Sequence, residues 1–318
     1  MRDGKRKFTG EPRAGARTIT LMLRVIALSF AMLAVGAGPC AAQATAQNGS
    51  QSLPCDVRHQ PPNPDSNTTA GSSTGEDLAA ENELLEAANK SRELAGVPRL
   101  RMEESLREAA RAHARRMVES QQLEHQLSGE LSLLDRIAQV SPLRMDRAGE
   151  NIAYASCAPS ANDVLMRSAP HRENLLDRGF NVAGVAAIWS KGRLYVVQDF
   201  AHVVPSYSAE QTGELVGRAV AEIRQQAGLS ELAQLRPAKL DKAACSLAGE
   251  SRPNARLIAA AYDNRQIITY TQSRPEVLPS AALRLLRDPG IRQFAVGTCY
   301  ARNAAYPTGM YWVAILLH

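Results

Sequence analysis

The sequence predicts an α+β protein whose fold is present twice. In both halves of the chain, helical patterns come first and strand-like runs follow, which is typical of α+β layers. The segment 83–100 (ELLEAANKSRELAGVPRL) also resembles the segment 215–232 (LVGRAVAEIRQQAGLSEL). In this register Arg92 aligns with Arg224, and a glycine follows each helix. Self-similarity of this kind predicts two copies of one structural unit in tandem.

Only the first copy keeps its ionisable residues. Residues 149–153 (GENIA) align with residues 255–259 (ARLIA), so the apolar positions persist while Glu150 faces Arg256. Core positions maintain a fold, whereas polar positions form a site. The pattern therefore predicts one functional site, in the first copy, and a second copy with a packing, partner or ligand-surface role. An unrelated α+β domain in the second half is the alternative, since short helical repeats also arise by chance.

The chain divides into five predicted segments. Residues 1–44 form an export signal, 45–75 a disordered tether, 76–204 the first domain, 205–213 a linker and 214–318 the second domain. The tether is rich in small and polar residues and has few large apolar ones, so it cannot form a core. Each domain has just over a hundred residues, which is enough for one core.

The spacing of apolar residues predicts the elements of both domains. In the first domain it indicates helices over 81–95, 106–123 and 162–176, and a hairpin of strands over 182–188 and 194–200. In the second domain it indicates helices over 215–227 and 237–248, and strands over 256–261, 266–271, 294–302 and 310–317.

The N-terminal segment has the features of a secretory signal peptide. Basic residues precede a short apolar run at 25–35 (VIALSFAMLAV), and residues 42–44 (AQA) resemble a cleavage site. The run is short for a membrane span. We therefore expect a secreted or periplasmic protein with no stable membrane span after signal cleavage. An uncleaved anchor is the alternative, because the basic segment is long.

The net charge of +5 comes from this signal. Seven of the 37 basic and two of the 32 acidic side chains lie in 1–44, so 30 of each remain in the rest of the chain. A neutral mature chain has no basic stripe of the kind that binds nucleic acid or an anionic membrane. We therefore expect no nucleic-acid partner.

Four cysteines remain after the signal, namely Cys55, Cys157, Cys245 and Cys299. An exported protein meets an oxidising compartment, and four cysteines allow three connectivities. The simplest pairing joins Cys55 to Cys157 and Cys245 to Cys299, one bridge for each half. The alternative is that the cysteines are small buried residues.

Three polar residues of the first domain could carry chemistry. His125 follows the second helix, Glu150 lies in a Gly-Glu-Asn segment, and His171 lies at the end of the third helical pattern. Two imidazoles and a carboxylate could bind a divalent cation such as zinc or calcium, or act as acid and base. Spacing alone favours ordinary polar residues of the surface or core edge. His113, on an apolar helix stripe, is expected to be a hydrogen-bonded core-edge histidine.

The order of the motifs in the first domain is more specific than any one of them. One helix carries Asn-x-x-Arg from Asn89, and the next carries Leu-x-x-x-Ala-x-x-His-Ala-x-x-Met at 106–117. His125 follows, then 149–153 (GENIA) and 168–176 (SAPHRENLL). In this order the motifs resemble the bacterial form of the CAP superfamily, which contains cysteine-rich secretory, antigen 5 and pathogenesis-related proteins.

This resemblance implies an α-β-α sandwich with a central antiparallel sheet and a cleft that holds two His and two Glu. His125, Glu150 and His171 match three of those four positions, with His125 and His171 as the metal ligands if a cation binds. The fourth position, a Glu in the family, is Ser168 here, which removes one possible ligand. Asn151 belongs to the same cleft and is expected to bridge backbone groups.

Three functions are compatible with this pattern. The favoured one is an exported binding protein, not an enzyme, that recognises an envelope or extracellular ligand (lipid, glycan or protein) through the His/Glu cleft. The first alternative is a metal-dependent hydrolase that uses His125, Glu150 and His171. The second alternative is a structural or interaction protein at the cell surface.

Overall fold

The computed structural model of the chain describes residues 19–21, 75–237, 239–249, 258, 262 and 266–318. These residues fall into two compact units, one with 75–206 and the other with 207–318 and the short strand β1 (Ile19–Leu21). Within this part of the chain, no helix combines the length and apolar character that a membrane crossing requires. Most of the predicted signal and nearly all of the predicted tether lie outside the described residues.

The first unit has three layers, with helices on both faces of one sheet. Its elements are α1 (Leu78–Leu94), β2 (Arg101–Met102), α2 (Glu104–Ser120), α3 (Leu133–Val140), β3 (Met145–Ala155), α4 (Ala158–Arg167), α5 (Ala169–Leu175), β4 (Val182–Ser190) and β5 (Arg193–Val203). The sheet order is β2-β4-β5-β3, where β2 is parallel to β4 and the other neighbours are antiparallel. The predicted α+β fold is confirmed.

Strand β4 divides its side chains between two cores, because successive strand residues point to opposite faces. Ala183, Val185 and Ala187 pack with the buried residues of α1, α4 and α5. Val182 and Ala186 pack instead with the buried residues of α2 and α3. This alternation creates the α-β-α sandwich.

Two predictions for the first unit differ from the structure. The helix predicted over 162–176 is two helices that meet at Ser168, whose backbone is extended. Pro170 lies in the first turn of α5, where its missing N–H is tolerated, but it cannot continue the hydrogen bonds of α4. The Gly-Glu-Asn segment lies inside the long strand β3, for which no strand was predicted. The predicted hairpin is present, with Lys191 and Gly192 at positive φ in its turn.

The second unit also combines helices with one sheet. Its elements are α6 (Ala209–Gln226), β6 (Ala233–Leu235), α7 (Leu240–Ala248), β7 (Gln266–Gln272), α8 (Ser280–Leu286), β8 (Gln293–Asn303) and β9 (Tyr306–Leu317). Strands β6 to β9 are ordered β6-β8-β9-β7, with β6 parallel to β8 and the other two pairs antiparallel. This order and these directions are the same as in the first unit. Strand β1 adds to the outer edge, parallel to β7.

Helix α6 begins at Ala209, inside the predicted linker and six residues before the predicted start. The reason is a capping box, in which Ser208 and Gln211 satisfy each other's backbone N–H groups. The strand predicted over 256–261 is also different, because its one described residue, Ile258, is helical. The other residues of that segment lie outside the described part.

A buried arginine has the same partners in both units. Arg92 of α1 donates to the carbonyl oxygens of Pro98, Leu175, Asp177 and Phe180. Arg224 of α6 donates to the carbonyl oxygens of Ser230, Leu286 and Asp288. In each unit the guanidinium therefore joins the first helix to the chain that leaves a later short helix, α5 or α8. The predicted alignment of Arg92 with Arg224 agrees with these contacts.

A glycine on the sheet allows a helix to pack against the strand in each unit. A Cβ atom at Gly184 of β4 would overlap the main chain of Leu106 in α2. A Cβ atom at Gly297 of β8 would overlap Leu240 in α7 in the same way. These contacts make Leu106 and Leu240 equivalent positions.

The predicted bridge between Cys245 and Cys299 is present, with a Cα–Cα distance of 4.9 Å. It joins α7 to β8. Cys157 is also disulfide-bonded. Its predicted partner, Cys55, lies outside the described residues, so that pairing stays a prediction.

Replacement of Arg92 by Ala should strongly destabilise the first unit. Four carbonyl groups would lose their donor, and each orphaned buried acceptor costs about 1–3 kcal/mol, so we expect the free energy of unfolding to fall by about 4 kcal/mol. The chain has two tryptophans. Trp189 lies in the first unit, so its fluorescence in a Trp312→Phe background reports urea unfolding of that unit. Arg99→Ala, which removes only two exposed ion pairs, should leave the midpoint nearly unchanged. Equal midpoints for the two variants would contradict this role.

Candidate functional site

The site of the first unit is built on the pairing of β3 with β5. This register places Glu150 directly opposite Asp199. Asp199 is also opposite Gly184, which faces α2, so both acids lie on the α2 side of the sheet. Helix α2 adds His113 to this region, and α3 adds Arg136.

Glu150 is the centre of the cluster, and both of its oxygens are occupied. His125 Nδ1 lies 2.8 Å from Glu150 Oε1, and since a carboxylate only accepts, this nitrogen carries the proton. Arg136 Nη2 donates to Oε2 in a buried ion pair. Arg136 also donates to the main-chain oxygen of His125 at 3.0 Å. The guanidinium thus fixes both the carboxylate and the loop that carries the histidine.

The cluster contains a second buried acid, Glu130. Its Oε1 accepts from His113 Nδ1 at 2.9 Å, and its Oε2 accepts from the backbone N–H of Leu127 at 3.0 Å. Burial alone would raise the pKa of Glu130, but these two bonds and the Arg136 charge outweigh burial and lower it. Glu130 is therefore an ionised, structural carboxylate, and His113 is the buried, hydrogen-bonded histidine that the sequence predicts.

Asp199 differs from its two acidic neighbours because it has no donor. It is fully buried, and neither carboxyl oxygen has a hydrogen-bond donor among the described residues. Burial and then the charge of Glu150 raise the pKa of Asp199 well above its usual range. We therefore assign Asp199 as a neutral carboxyl beside the ionised Glu150, toward which it can donate a proton.

His171 and Asn151 meet at the start of α5. Asn151 Nδ2 donates to the main-chain oxygen of His171 at 3.0 Å, and Asn174 Nδ2 donates to Asn151 Oδ1 at 3.0 Å. Asn151 therefore bridges the strand and the helix, as expected. Burial, followed by the charge of His125, lowers the pKa of His171, so its imidazole is neutral at pH 7.

The predicted site residues are thus brought together to different degrees. His125 and Glu150 are in direct contact, His171 lies within electrostatic range of His125, and Asn151 holds the backbone of His171. Ser168 lies at the break between α4 and α5, and no hydrogen bond of its side chain connects it to the cluster within the described residues.

Three residues that matter here were not predicted as site residues. Glu130, Arg136 and Asp199 surround Glu150, and they come from a loop, a helix and a strand, of which the strand follows much later in the sequence. The segment that contains Arg136 follows His125 closely and has an amphipathic pattern, which is the one signal that could have indicated it.

The donor set does not fit a metal ion held by three protein ligands. In the described part of the chain, no three His, Cys, Asp or Glu side chains are arranged for such a site. Both oxygens of Glu150 already accept from His125 and Arg136. A cation would have to displace the Arg136 ion pair to use this carboxylate.

The second unit has apolar or small residues at the positions of this cluster. The strand registers place Thr269 at the position of Glu150 and Ala314 at the position of Asp199. The sequence alignment of Glu150 with Arg256 therefore does not agree with the strand pairing, because Arg256 precedes Thr269 by 13 residues. The helix register places Leu247, which is buried, at the position of His113.

The first unit is an α-β-α domain in which the buried Glu150 contacts Arg136 and the exposed His125. Residues 85–200 match the sequence model of the cysteine-rich secretory protein family, CAP. This span runs from within α1 to within β5 and contains the cluster. The predicted CAP resemblance is therefore confirmed for residues 85–200, which make up most of the first unit.

Three of the similar solved structures are from bacterial proteins. An outer surface protein of Borrelia burgdorferi is 15% identical with a TM-score of 0.39, over 42% of this chain and 100% of its own. An extracellular SCP-domain protein of Bacillus anthracis is 23% identical with a TM-score of 0.34, over 39% of this chain and 40% of its own. A cysteine-rich secretory protein of Staphylococcus aureus is 20% identical with a TM-score of 0.33, over 43% and 44%. This chain thus spans less than half of the last two proteins. No relative of curated function matches the sequence.

The neutral state of Asp199 predicts a specific pH dependence. Because its pKa is raised in the folded protein, the stability linked to this carboxyl is present at low pH and is lost as the pH rises from the unfolded value of about 3.9 through the folded value. Asp199→Asn removes this ionisation. The stability of the variant relative to the wild type should therefore increase between pH 4 and pH 7, by at most about 1.4 kcal/mol per pH unit. Urea unfolding of both proteins at several pH values measures the difference in their free energies of unfolding. A difference that stays constant with pH would contradict a raised pKa of Asp199.

The two histidines of the cleft should titrate as neighbours. We expect the ring resonances of His171 to titrate below the ordinary histidine midpoint of about 6.5 in an NMR pH series. His125→Ala should move that midpoint upward, since it removes a charge that lowers the pKa of His171. His202→Ala removes a histidine paired with Asp146 elsewhere on the sheet and should have no effect. An unchanged His171 midpoint in His125→Ala would show that the charge of His125 does not act on His171.

Proposed function

We propose that this is an exported CAP-domain protein that binds an envelope or extracellular ligand at the edge formed by His125 and His171. The observation that carries the proposal is the way His125 is held. Its side chain is 57% exposed, yet its Nδ1 is bonded to a carboxylate that is only 4% exposed. An exposed imidazole with a fixed orientation is suited to recognition.

The hydrogen bond to Glu150 also determines what His125 offers to a ligand. Because Nδ1 faces the carboxylate, Nε2 is the ring nitrogen left for a ligand, and it accepts a hydrogen bond when only Nδ1 carries a proton. The ligand should therefore present a donor, such as a sugar hydroxyl, a lipid headgroup hydroxyl or a protein N–H. His171 is neutral at pH 7, so it adds a second polar ring without a second charge.

Binding is favoured over hydrolysis because Glu150 is not free to act as a base. A general base must lie within hydrogen-bond reach of the proton that it takes. The oxygens of Glu150 already face His125 and Arg136, and the residue is buried. The metal-dependent alternative would require this ion pair to open.

Export and domain organisation belong to the same proposal. Residues 1–44 act as the cleaved signal, 45–75 as the tether, 76–204 as the ligand-binding domain and 214–318 as a degenerate second copy. Support for a second copy comes from the common strand order and from the matching partners of Arg92 and Arg224. The described residues give no membrane-spanning helix.

Two probes test binding through the cleft. We would sediment the mature protein with phosphatidylglycerol/phosphatidylethanolamine vesicles and, separately, with insoluble peptidoglycan. Each probe presents the hydroxyl donors that His125 Nε2 would accept. We expect the protein to bind one probe, and the His125→Ala/His171→Ala variant to bind it about tenfold more weakly, as the loss of a buried hydrogen bond predicts.

The control for this experiment is His202→Ala, because His202 also pairs with a carboxylate, Asp146 Oδ1 at 2.6 Å. This variant should bind like the wild type. If the double variant binds as well as the wild type, the cleft is not the binding site, and a structural role is favoured. If a probe is degraded and Glu150→Ala abolishes its turnover, the protein is a hydrolase.

A further inference from the structure

The second unit contains a cavity of about 360 Å³ between α6, α7 and the strands β8 and β9. Its wall includes Tyr207, Tyr300 and Tyr311 and the disulfide between Cys245 and Cys299. Pockets that hold small ligands are about 300–1,000 Å³ in volume. This cavity is therefore large enough for a small ligand, and it is distinct from the histidine cleft of the first unit.

In the first unit, an ion pair occupies the corresponding place. Glu81 of α1 is fully buried, and its two oxygens accept from Arg111 Nε at 2.8 Å and from Arg111 Nη2 at 2.6 Å. Arg107 Nε lies 3.7 Å from the same carboxylate. These long side chains join α1 to α2 and fill the space between the helices.

The second unit lacks these side chains. The register of the buried arginines places Gly213 at the position of Glu81, and the contacts of the two sheet glycines place Cys245 at the position of Arg111. A Cβ atom at Gly213 would have no heavy atom within 4 Å. A glycine and a half-cystine thus replace a carboxylate and a guanidinium, which explains why a cavity lies here.

The wall of the cavity combines aromatic surface with a few polar groups. Three of the chain's eight tyrosines line it. The rings of Tyr300 and Tyr311 meet edge to face, 5.5 Å apart. Asp241 accepts from the backbone N–H of Thr298 at 2.8 Å, and Lys242 has no hydrogen-bond or ion-pair partner among the described residues. The cavity therefore offers apolar faces, an acceptor and a donor.

We infer that this cavity binds a neutral saccharide of one or two sugar rings. Asp241 and Lys242 are exposed to water in the free protein, and a purely apolar ligand would displace that water without replacing its hydrogen bonds, which is costly for charged groups. A charged ligand would be attracted by one of the two side chains and repelled by the other. A pyranose ring has apolar C–H faces that suit tyrosine and hydroxyls that both donate and accept. The volume limits the ligand to one or two such rings.

NMR titration of the ¹⁵N-labelled mature protein with N-acetylglucosamine and with its β-1,4-linked disaccharide tests this inference. We expect saturable shifts of the Thr298 and Tyr300 amides. Lys242→Ala should weaken binding about tenfold, because it removes a charged donor. Ala209→Trp, which places a large side chain on the cavity wall, should abolish the shifts. Lys239→Ala removes a nearby lysine that is outside the wall and should change nothing.

Several results would overturn the inference. These are the absence of shifts with either saccharide, equal affinity in wild type, Lys242→Ala and Ala209→Trp, or shifts of the same amides with sodium octanoate but not with sugar. The His125→Ala/His171→Ala variant should keep the Thr298 shifts, since those residues lie in the other unit. This variant distinguishes the cavity from the proposed cleft, so the result for one binding site does not depend on the result for the other.

Discussion

The structure of each unit depends on one buried arginine that donates to main-chain carbonyl groups. Arg92 is inaccessible to solvent, and its four acceptors include the carbonyls of Leu175 and Asp177 directly after α5. A guanidinium can be buried when its N–H groups are paired, and here they are paired with chain that has no other regular partner. The position of α5, and with it His171, therefore depends on α1. Arg224 has the same relation to α8.

Charge balance in the buried cluster determines how the cleft works. Two ionised acids, Glu130 and Glu150, share one guanidinium, Arg136, and a third acid, Asp199, stays neutral. A third carboxylate charge beside Glu150 would be unfavourable in a buried site. The cluster thus fixes the orientation of the exposed His125 ring through its Nδ1.

The sequence predicted the parts of this arrangement that are local, and it missed the parts that depend on the sheet. His125, Glu150 and His171 were recognisable from ordered motifs, and the helices from apolar spacing. Glu130 and Asp199 have no local signature, because their roles arise only when α2, β3 and β5 pack together. The Arg256 alignment failed for a related reason. It matched short apolar runs, whereas strand pairing places Thr269 opposite Ala314 and hence at the position of Glu150.

The two units show how one scaffold can hold a helix against its neighbours in two ways. In the first unit, Glu81 and Arg111 hold α2 against α1, and their side chains fill the space. In the second unit, the bond between Cys245 and Cys299 holds α7 against β8 and needs far less volume. This bridge joins α7 to the sheet and not to α6, and a Cβ atom at Gly213 of α6 would have no heavy atom within 4 Å, so the space between the two helices stays open. The first unit keeps a polar cluster at the sheet and a filled helix interface, and the second has an apolar sheet position and an open helix interface. The proposed saccharide cavity therefore lies at the place that an ion pair fills in the first unit, on a sheet with the same strand order.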